Sequence, residues 1–510
     1  MGQLKYNLNN PGYTIYHRAA LGGLAATLQA WRNEGLVFEK IKYEYDGTGV
    51  SIEWEKEIAD TEVLTKLLAE SFRITKEKLI DLPGHGLESY RRSLKVAIHN
   101  AITGTFLQHN KMRPGEKEAR KIDIANADKA DQPSCISYKP VNSYAHQHAQ
   151  GTGLLDKQGP IPERAKVPQS VVPGAMSGAI ALEVPGEEAF LLLYLMVGCP
   201  LYLIRSNSSA EKIQYGILVP DVTDLRKFVS KIQRNTFAIA QSYLRSDDLD
   251  YESRVAGGVE DAALHFLVGL DGGEHVDVER TGIRGFLSVA MGKVAWDANQ
   301  INRSAVRPVQ VHYGELDIYR AANGSELSQR NKILLKSGDV FVVPASPLPA
   351  LVAANLVSDR HWCEGLRELV NNQSEFQRLH YMRGGLRAMK RAIRNEEDQA
   401  IVQAFQEGLK YMYGQKGERA KNEGSDFGRL ASVELERIRN SVLRMKTMES
   451  LSGWFIQFCV SGTEGGQLPA FRQHRALLLS FFQNERNYAR LQNLILFAML
   501  SYEGKDSNKA

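Results

Sequence analysis

Two histidines stand one residue apart in Ala145-His146-Gln147-His148. In an extended backbone both rings share a face, where paired imidazoles can hold a metal. A second stretch, Gly338-Asp339-Val340-Phe341-Val342-Val343-Pro344, has the Gly-x5-Pro spacing of a cupin-type metal motif. Pro349 stands where that motif requires its histidine, however, and no glutamate follows His148 at the needed distance. A third and fourth ligand are therefore missing, and neither a metal nor another cofactor is expected. Walker, dinucleotide-binding, GxSxG and HExxH patterns are absent from the chain. The acidic pairs Glu187-Glu188 and Asp247-Asp248 read as solvated turns. A non-enzymatic protein is the expectation. The alternative is a metal-dependent enzyme, a nuclease or cupin-like protein, using His146 and His148.

Charge gives a stronger signal. Arg383, Arg387, Lys390, Arg391 and Arg394 step along one stripe of a helix. Such a stripe suits a sugar–phosphate backbone, because each phosphate it neutralises releases counterions. Glu396, Glu397 and Asp398 follow one turn later and offer a plainer role, a solvated face paired with acids. Residues 378–510 carry 21 Lys and Arg against 14 Asp and Glu, whereas the rest of the chain holds 42 against 45. The basic excess is thus confined to the tail, which points to a polyanionic partner.

The element around which the rest is organised is Pro11–Trp31, PGYTIYHRAALGGLAATLQAW. Thr14 is a helix N-cap, and Leu21, Leu24, Leu28 and Trp31 form an apolar stripe. Ala19, Ala20, Gly22, Gly23, Ala25 and Ala26 strip the other faces, so the helix is expected to be gripped on several sides. Residues 36–55 read as a hairpin turning at Asp46-Gly47-Thr48-Gly49. Helices are expected at 61–72, 87–108, from Asp221 to about Phe237, at 258–269 and at 348–376. Strands are expected at Ile180–Val184, Ala189–Val197, Leu201–Ile204, Tyr215–Val219, 286–296 and 309–320. The span 122–175 reads as one long irregular loop. From 376 onward strand signals vanish, leaving four or five helices broken near Gly414–Gly428 and Ser461–Gln467. The fold class is α+β, a mixed body over 1–375 followed by an all-α helical bundle over 376–510.

Four widely spaced cysteines, Cys135, Cys199, Cys363 and Cys459, suit reduced thiols. The N-terminal residues lack an apolar signal core, and the longest apolar run, Ala189–Ile204, is broken by Gly198 and Pro200. A soluble, cytoplasmic protein is expected.

Five blocks together carry a family resemblance: PGYTIYHRAALGGLAATLQAW, GTFLQH at 104–109, ISYKPVNSYAHQ at 136–147, GKVAWDANQINR at 292–303 and LVAANLVSDRHWCEGLREL at 351–369. In this order they resemble the large subunit of type I CRISPR Cascade complexes, the Cas-eight family in its type I-B or MYXAN variety. The resemblance implies a non-enzymatic, antiviral-defence subunit that recognises the protospacer-adjacent motif, contacts the crRNA 5′ end and supports the R-loop. Implied partners are crRNA, target double-stranded DNA and the backbone, crRNA-handle and small subunits of the complex. A helicase–nuclease or a transposition machinery completes such systems. The basic tail resembles the family's small-subunit-like bundle, and Met382 or Met389 could open a separately made product, as internal starts do in related systems.

On this reading the DNA motif is expected to be read between His109 and Gln150, since loops on a scaffold often carry binding residues. Lys111, Arg113, Lys117, Arg120 and Lys121 would meet phosphates. Lys139, Asn142, Ser143, Tyr144, His146, Gln147 and His148 would meet base edges or stack on them. Lys293–Arg303 is the second candidate.

Overall fold

The structure is a computed structural model. It describes residues 2–86, 92–108, 110–124, 134–168, 176–177, 180–204, 214–230, 257–271, 282–291, 305–309, 313–328, 331–334, 340–343, 346–460 and 468–503. His109, Asp247-Asp248, the block at 292–303, the break at 461–467 and Gly338, Asp339 and Pro344 lie outside the described residues. Contacts divide the chain into two units, Met1–Gln310 and Val311–Ala510. The change of composition at 375/376 falls inside the second.

In the first unit, helix α1 (Ile15–Glu34) has the expected position. The Thr14 N–H donates to His17 Nδ1 at 3.2 Å, so an imidazole does what Glu or Gln does in a capping box. Gly35, at φ 69°, closes the helix by donating its N–H to the Arg32 and Trp31 carbonyls. Leu21, Leu24, Leu28 and Trp31 are wholly buried. The small-residue face is occupied as well. A Cβ on Gly23 would stand 2.2 Å from the Tyr194 carbonyl oxygen, and one on Gly198 would stand 2.0 Å from that of Ala19. This backbone-to-backbone contact offsets the ~1 kcal/mol that a mid-helix glycine costs.

Two sheets and two helices pack on α1. The first sheet has the order β1-β3-β2, from β1 (Gly2–Asn7), β2 (Ile41–Tyr45) and β3 (Gly49–Trp54), all antiparallel. Asp46 Oδ1 accepts from the N–H groups of Thr48 at 2.7 Å and Gly49 at 2.8 Å, which fixes the expected turn. Helix α2 (Asp60–Ser71) and helix α3 (Arg92–Gly104) follow as expected. The supposed irregular span holds strands β4 (Arg120–Ile124) and β5 (Ser134–Tyr138), then β6 (Arg164–Lys166), which pairs with β7 (Glu183–Pro185). Ala189–Val197 is not a strand: it lies in helices α4 (Gly186–Leu193) and α5 (Leu195–Gly198). An apolar run buried on every side carries no periodicity to separate the two, and Glu187 and Glu188 in the first turn favour the helix. The second sheet is an antiparallel meander of β8 (Leu201–Ile204), β9 (Gln214–Val222), β10 (Ile283–Met291) and β11 (Ala305–Val309), with helix α6 (Val259–Asp271) between β9 and β10 in sequence. A helical turn at 225–230 is what the described residues hold of the helix expected from Asp221.

The second unit opens with helix α7 (Tyr313–Asn323), where alternation at 309–320 suggests a strand. Leu316, Tyr319 and Ala322, at three-residue spacing, are its buried face. A strand pair, β12 (Asn331–Leu334) and β13 (Val340–Val343), is followed, among the described residues, by helices alone. These are α8 (Leu348–Val357), α9 (Leu366–Asn371), α10 (Gln373–Tyr381), α11 (Arg383–Ala392), α12 (Glu396–Glu423), α13 (Phe427–Arg444), α14 (Met448–Val460), α15 (Pro469–Gln473), α16 (Arg475–Phe482) and α17 (Tyr488–Leu500). Helix α12 runs through Gly414 and ends at Gly424, whose φ of 64° stops it. Helix α17 is the centre: Leu491–Leu500 are all buried, against α9, α12 and α13 among others. The molecule is thus α+β. Among the described residues no helix is long and apolar enough to cross a membrane.

Candidate nucleic-acid interface

Among the residues expected to meet DNA, Arg120 and Lys121 lie on a two-stranded ribbon, and Lys117, Lys139 and Asn142 lie near its end. Strands β4 and β5 pair in antiparallel register from Arg120 opposite Tyr138 to Ile124 opposite Ser134. The pairing continues past them, because Gly115 bridges Val141 and the Asn142 N–H donates to the Pro114 carbonyl at 2.8 Å. Helix α3 holds the ribbon from beneath. His99 Nδ1 accepts the Ile80 N–H at 3.0 Å, and Nε2 lies 2.9 Å from the Lys139 carbonyl, to which it donates. This fixes the neutral tautomer, and burial pushes the His99 pKa down to about 4. Asn100 Nδ2 donates to the Ser137 carbonyl at 3.0 Å, and Tyr138 Oη donates to the Glu77 carbonyl at 3.2 Å. Glu116 pairs with Lys78 and with Arg120 across the outer side.

Lys111, Lys117, Arg120, Lys121, Lys139, Asn142 and His148 are exposed on this framework. Arg113 is not among them. Its Nε donates to the Leu107 carbonyl, and burial lowers its pKa, so it fastens the end of α3. The turn Ala145–His148 is a single 3-10 turn rather than a strand, because the Tyr144 N–H donates to Gln147 Oε1 at 3.1 Å and folds the segment back. His146 and His148 therefore do not share a face. His146 is 1% exposed, edge-on to Phe72 at 5.5 Å, and neither ring nitrogen has a partner among the described residues, while His148 is exposed. Burial pushes the His146 pKa down to about 3, so it is a neutral core ring. Tyr144 is also buried, its ring against Phe72. Ser143 and Gln147 are half-buried. Among the described residues no group of three His, Cys, Asp or Glu side chains gathers as metal ligands do.

The basic stripe of α11 splits in two. Arg383 Nη2 donates to the His380 ring at 2.8 Å, Arg387 lies 3.4 Å from Glu503, and Lys390 Nζ donates to Gln406 Oε1 at 2.8 Å. These three are half-buried, whereas Arg391 and Arg394 are exposed, the latter 3.4 Å from Asp317. The acids at 397–398 serve another cation. Asp398, wholly buried, accepts from Arg490 Nη2 at 2.7 Å, Trp362 Nε1 at 2.9 Å and His361 Nε2 at 2.9 Å. Burial alone would raise its pKa, but His361, Arg490 and Trp362 together hold it below the usual value. Sequence patterning misses this cluster, since Arg490 stands 92 residues from the Asp398 that it meets. It also passes over Tyr381, which is 83% exposed beside the stripe.

Two family profiles match the chain in order, one described as the DevT N-terminal domain over residues 5–193 and one as the DevT C-terminal domain over residues 390–510. The second begins inside α11. A curated relative, the CRISPR-associated protein Cas8a1/Csx13 of Myxococcus xanthus (strain DK1622), is 25% identical over 552 aligned residues. That alignment covers 99% of this chain and 90% of the relative. With two profiles matched in one order and a relative aligned over 99% of this chain and 90% of its own length, the chain belongs to the Cas8 family of CRISPR-associated large subunits.

Proposed function

We propose that the chain is the non-enzymatic large subunit of an RNA-guided CRISPR effector complex. In it, base pairing between crRNA and target reads the sequence, and the protein reads a short duplex motif and the backbone. It contacts the crRNA 5′ end and supports the R-loop, beside backbone, handle and small subunits and a helicase–nuclease or transposition machinery. Its body, 1–375, does the reading, and its tail, 376–510, is the small-subunit-like bundle. The observation that carries the motif-reading part is the ribbon. A two-stranded β-ribbon fits the major groove, and at the end of this one Lys139 and Asn142, three residues apart and both exposed, follow a backbone fixed by His99. Lys111, Lys117, Arg120 and Lys121 then contact phosphates, which position the protein without specifying sequence. Ser143 and His148 flank the reading residues, while Tyr144, His146, Gln147 and Arg113 hold the turn and the helix end that carry them. On the tail, Arg391 and Arg394 meet backbone phosphates.

The test is binding by the assembled complex to duplexes with and without the flanking motif. Asn142→Ala is expected to weaken motif-bearing targets by about 1–3 kcal/mol and leave motif-free binding alone. Lys117→Ala with Lys121→Ala is expected to weaken both and to flatten the salt dependence. If none of these changes discrimination or affinity, the ribbon is not the reader, and Lys293–Arg303 becomes the next segment to substitute. Co-purification of a short processed RNA with the chain tests the wider assignment.

A further inference from the structure

The inner side of α11 carries more positive charge than its neighbours neutralise. Arg383, Arg387 and Lys390 are half-buried there, facing α12 and the segment 501–503 that follows α17. Among the described residues, the groups that meet them include the neutral His380 ring, the amide oxygen of Gln406, the carboxylate of Glu503 and Tyr413. Burial lowers the pKa of both Arg383 and Lys390, and the Nε atoms of Arg383 and Arg387 are buried without a hydrogen-bond partner among the described residues. Cations shielded from water and short of counter-charge favour an anion. The anion on hand comes from the chain itself. The segment 501–503 lies on this side, with Gln406 Nε2 donating to Ser501 Oγ at 3.1 Å and the Tyr502 ring 5.5 Å from Tyr413. Next to the cations, the 83% exposed Tyr381 meets His380 edge-on at 6.0 Å. An exposed aromatic ring beside a cationic face is the pairing that takes a single nucleic-acid strand, a base on the ring and its phosphate on the cations.

We propose that Glu503 occupies a phosphate position on α11, and that the backbone of a single nucleic-acid strand displaces it while a base stacks on Tyr381. The inference rests on the reading of α11 as a nucleic-acid contact and adds a competitor built into the chain. Short or weakly held strands meet a face already filled, and a strand that supplies several phosphates at once clears it.

The test is binding of a labelled oligothymidylate to the full chain at low and high salt. Glu503→Gln is expected to bind about two- to five-fold more tightly at low salt, the range of a partly exposed pair, with the gain fading as salt rises. Arg387→Ala with Lys390→Ala is expected to bind more weakly and to respond no further to Glu503→Gln. Tyr381→Ala is expected to weaken binding at both salt concentrations. If Glu503→Gln leaves affinity unchanged or lowers it while the Arg387/Lys390 pair weakens it, the occupancy by Glu503 is overturned and the α11 contact stands. If the Arg387/Lys390 pair also has no effect, the inner side of α11 is not a phosphate contact and the proposal is overturned, while Arg391→Ala with Arg394→Ala tests the outer contact separately. An unchanged melting temperature in each variant separates these outcomes from misfolding.

Discussion

His99 is the point at which the ribbon is sensitive to a single substitution. Leucine in its place keeps much of the volume but removes both hydrogen bonds, the one accepted from Ile80 at 3.0 Å and the one donated to Lys139 at 2.9 Å. The Ile80 N–H left unpaired at a buried site costs about 1–3 kcal/mol, and the part-buried Lys139 carbonyl adds less than that. The edge contact of the imidazole with Tyr138, at 5.7 Å and 83°, goes as well. The expected result is a locally loosened ribbon, read as faster amide exchange across 134–143 than across α1. Discrimination between motif-bearing and motif-free duplexes is expected to fall with it, because Lys139 and Asn142 lose their fixed backbone. The wild type should show the same loosening on acidification. The folded pKa of about 4 lies below the ordinary 6.5, so the neutral ring stabilises fully above pH 6.5 and that contribution fades as pH falls toward 4. Faster exchange with unchanged discrimination would refute the ribbon as reader. Unchanged exchange would refute His99 as its anchor.

His146→Phe should stabilise the first unit or leave it neutral, since two buried nitrogens without partners are replaced by carbon. It should also remove part of the acid sensitivity: with a folded pKa of about 3, His146 withdraws about 2 kcal/mol between pH 6.5 and 5, and urea unfolding at both pH values measures this. A variant as acid-sensitive as wild type would contradict it. Asp398→Asn should destabilise the second unit by about 3 kcal/mol, because Arg490 loses its buried carboxylate. The wild type should lose the same contribution as pH falls below the carboxylate's ordinary 3.8; a change under about 1 kcal/mol in urea unfolding would show that Glu397 suffices for Arg490. An internal product starting at Met382 keeps α11 whole, whereas one from Met389 cuts it. Mass spectrometry of protein made from the untagged gene should find one of these N-termini in the assembled complex. The Met382 product should melt below a 311–510 fragment, because it lacks Glu326, whose Oε1 accepts the Gly384 N–H at 2.9 Å.

Helix α1 was legible in the sequence because cap, apolar stripe and small residues agree over one segment. Ala189–Val197 was not, since burial on all sides erases the periodicity that tells helix from strand. At 309–320 a short alternation outweighed the three-residue spacing of Leu316, Tyr319 and Ala322. The ribbon escaped for a different reason. Pro114, Gly115 and Pro140 read as breakers, and only the long-range pairing of Gly115 with Val141 turns them into the end of a ladder. Lys139 and Asn142 could be singled out as candidates by residue type. That Tyr144 and His146 point inward could not, because it depends on Phe72. The block at 351–369 likewise owes its character to packing: Asn355 Nδ2 donates to the Trp362 and Glu364 carbonyls, and His361 and Trp362 both reach Asp398.

The burial of α17 sets an order of events during synthesis. Its Asn493 accepts the N–H of Arg367, a partner made 126 residues earlier. At about 5–20 residues per second, α9 is synthesised roughly 6–25 s before the helix it packs on. Until then the apolar faces of α9, α12 and α13 lack the helix that they pack on. Slowing translation between α13 and α17 should therefore lower the soluble yield of the second unit more than slowing it anywhere upstream.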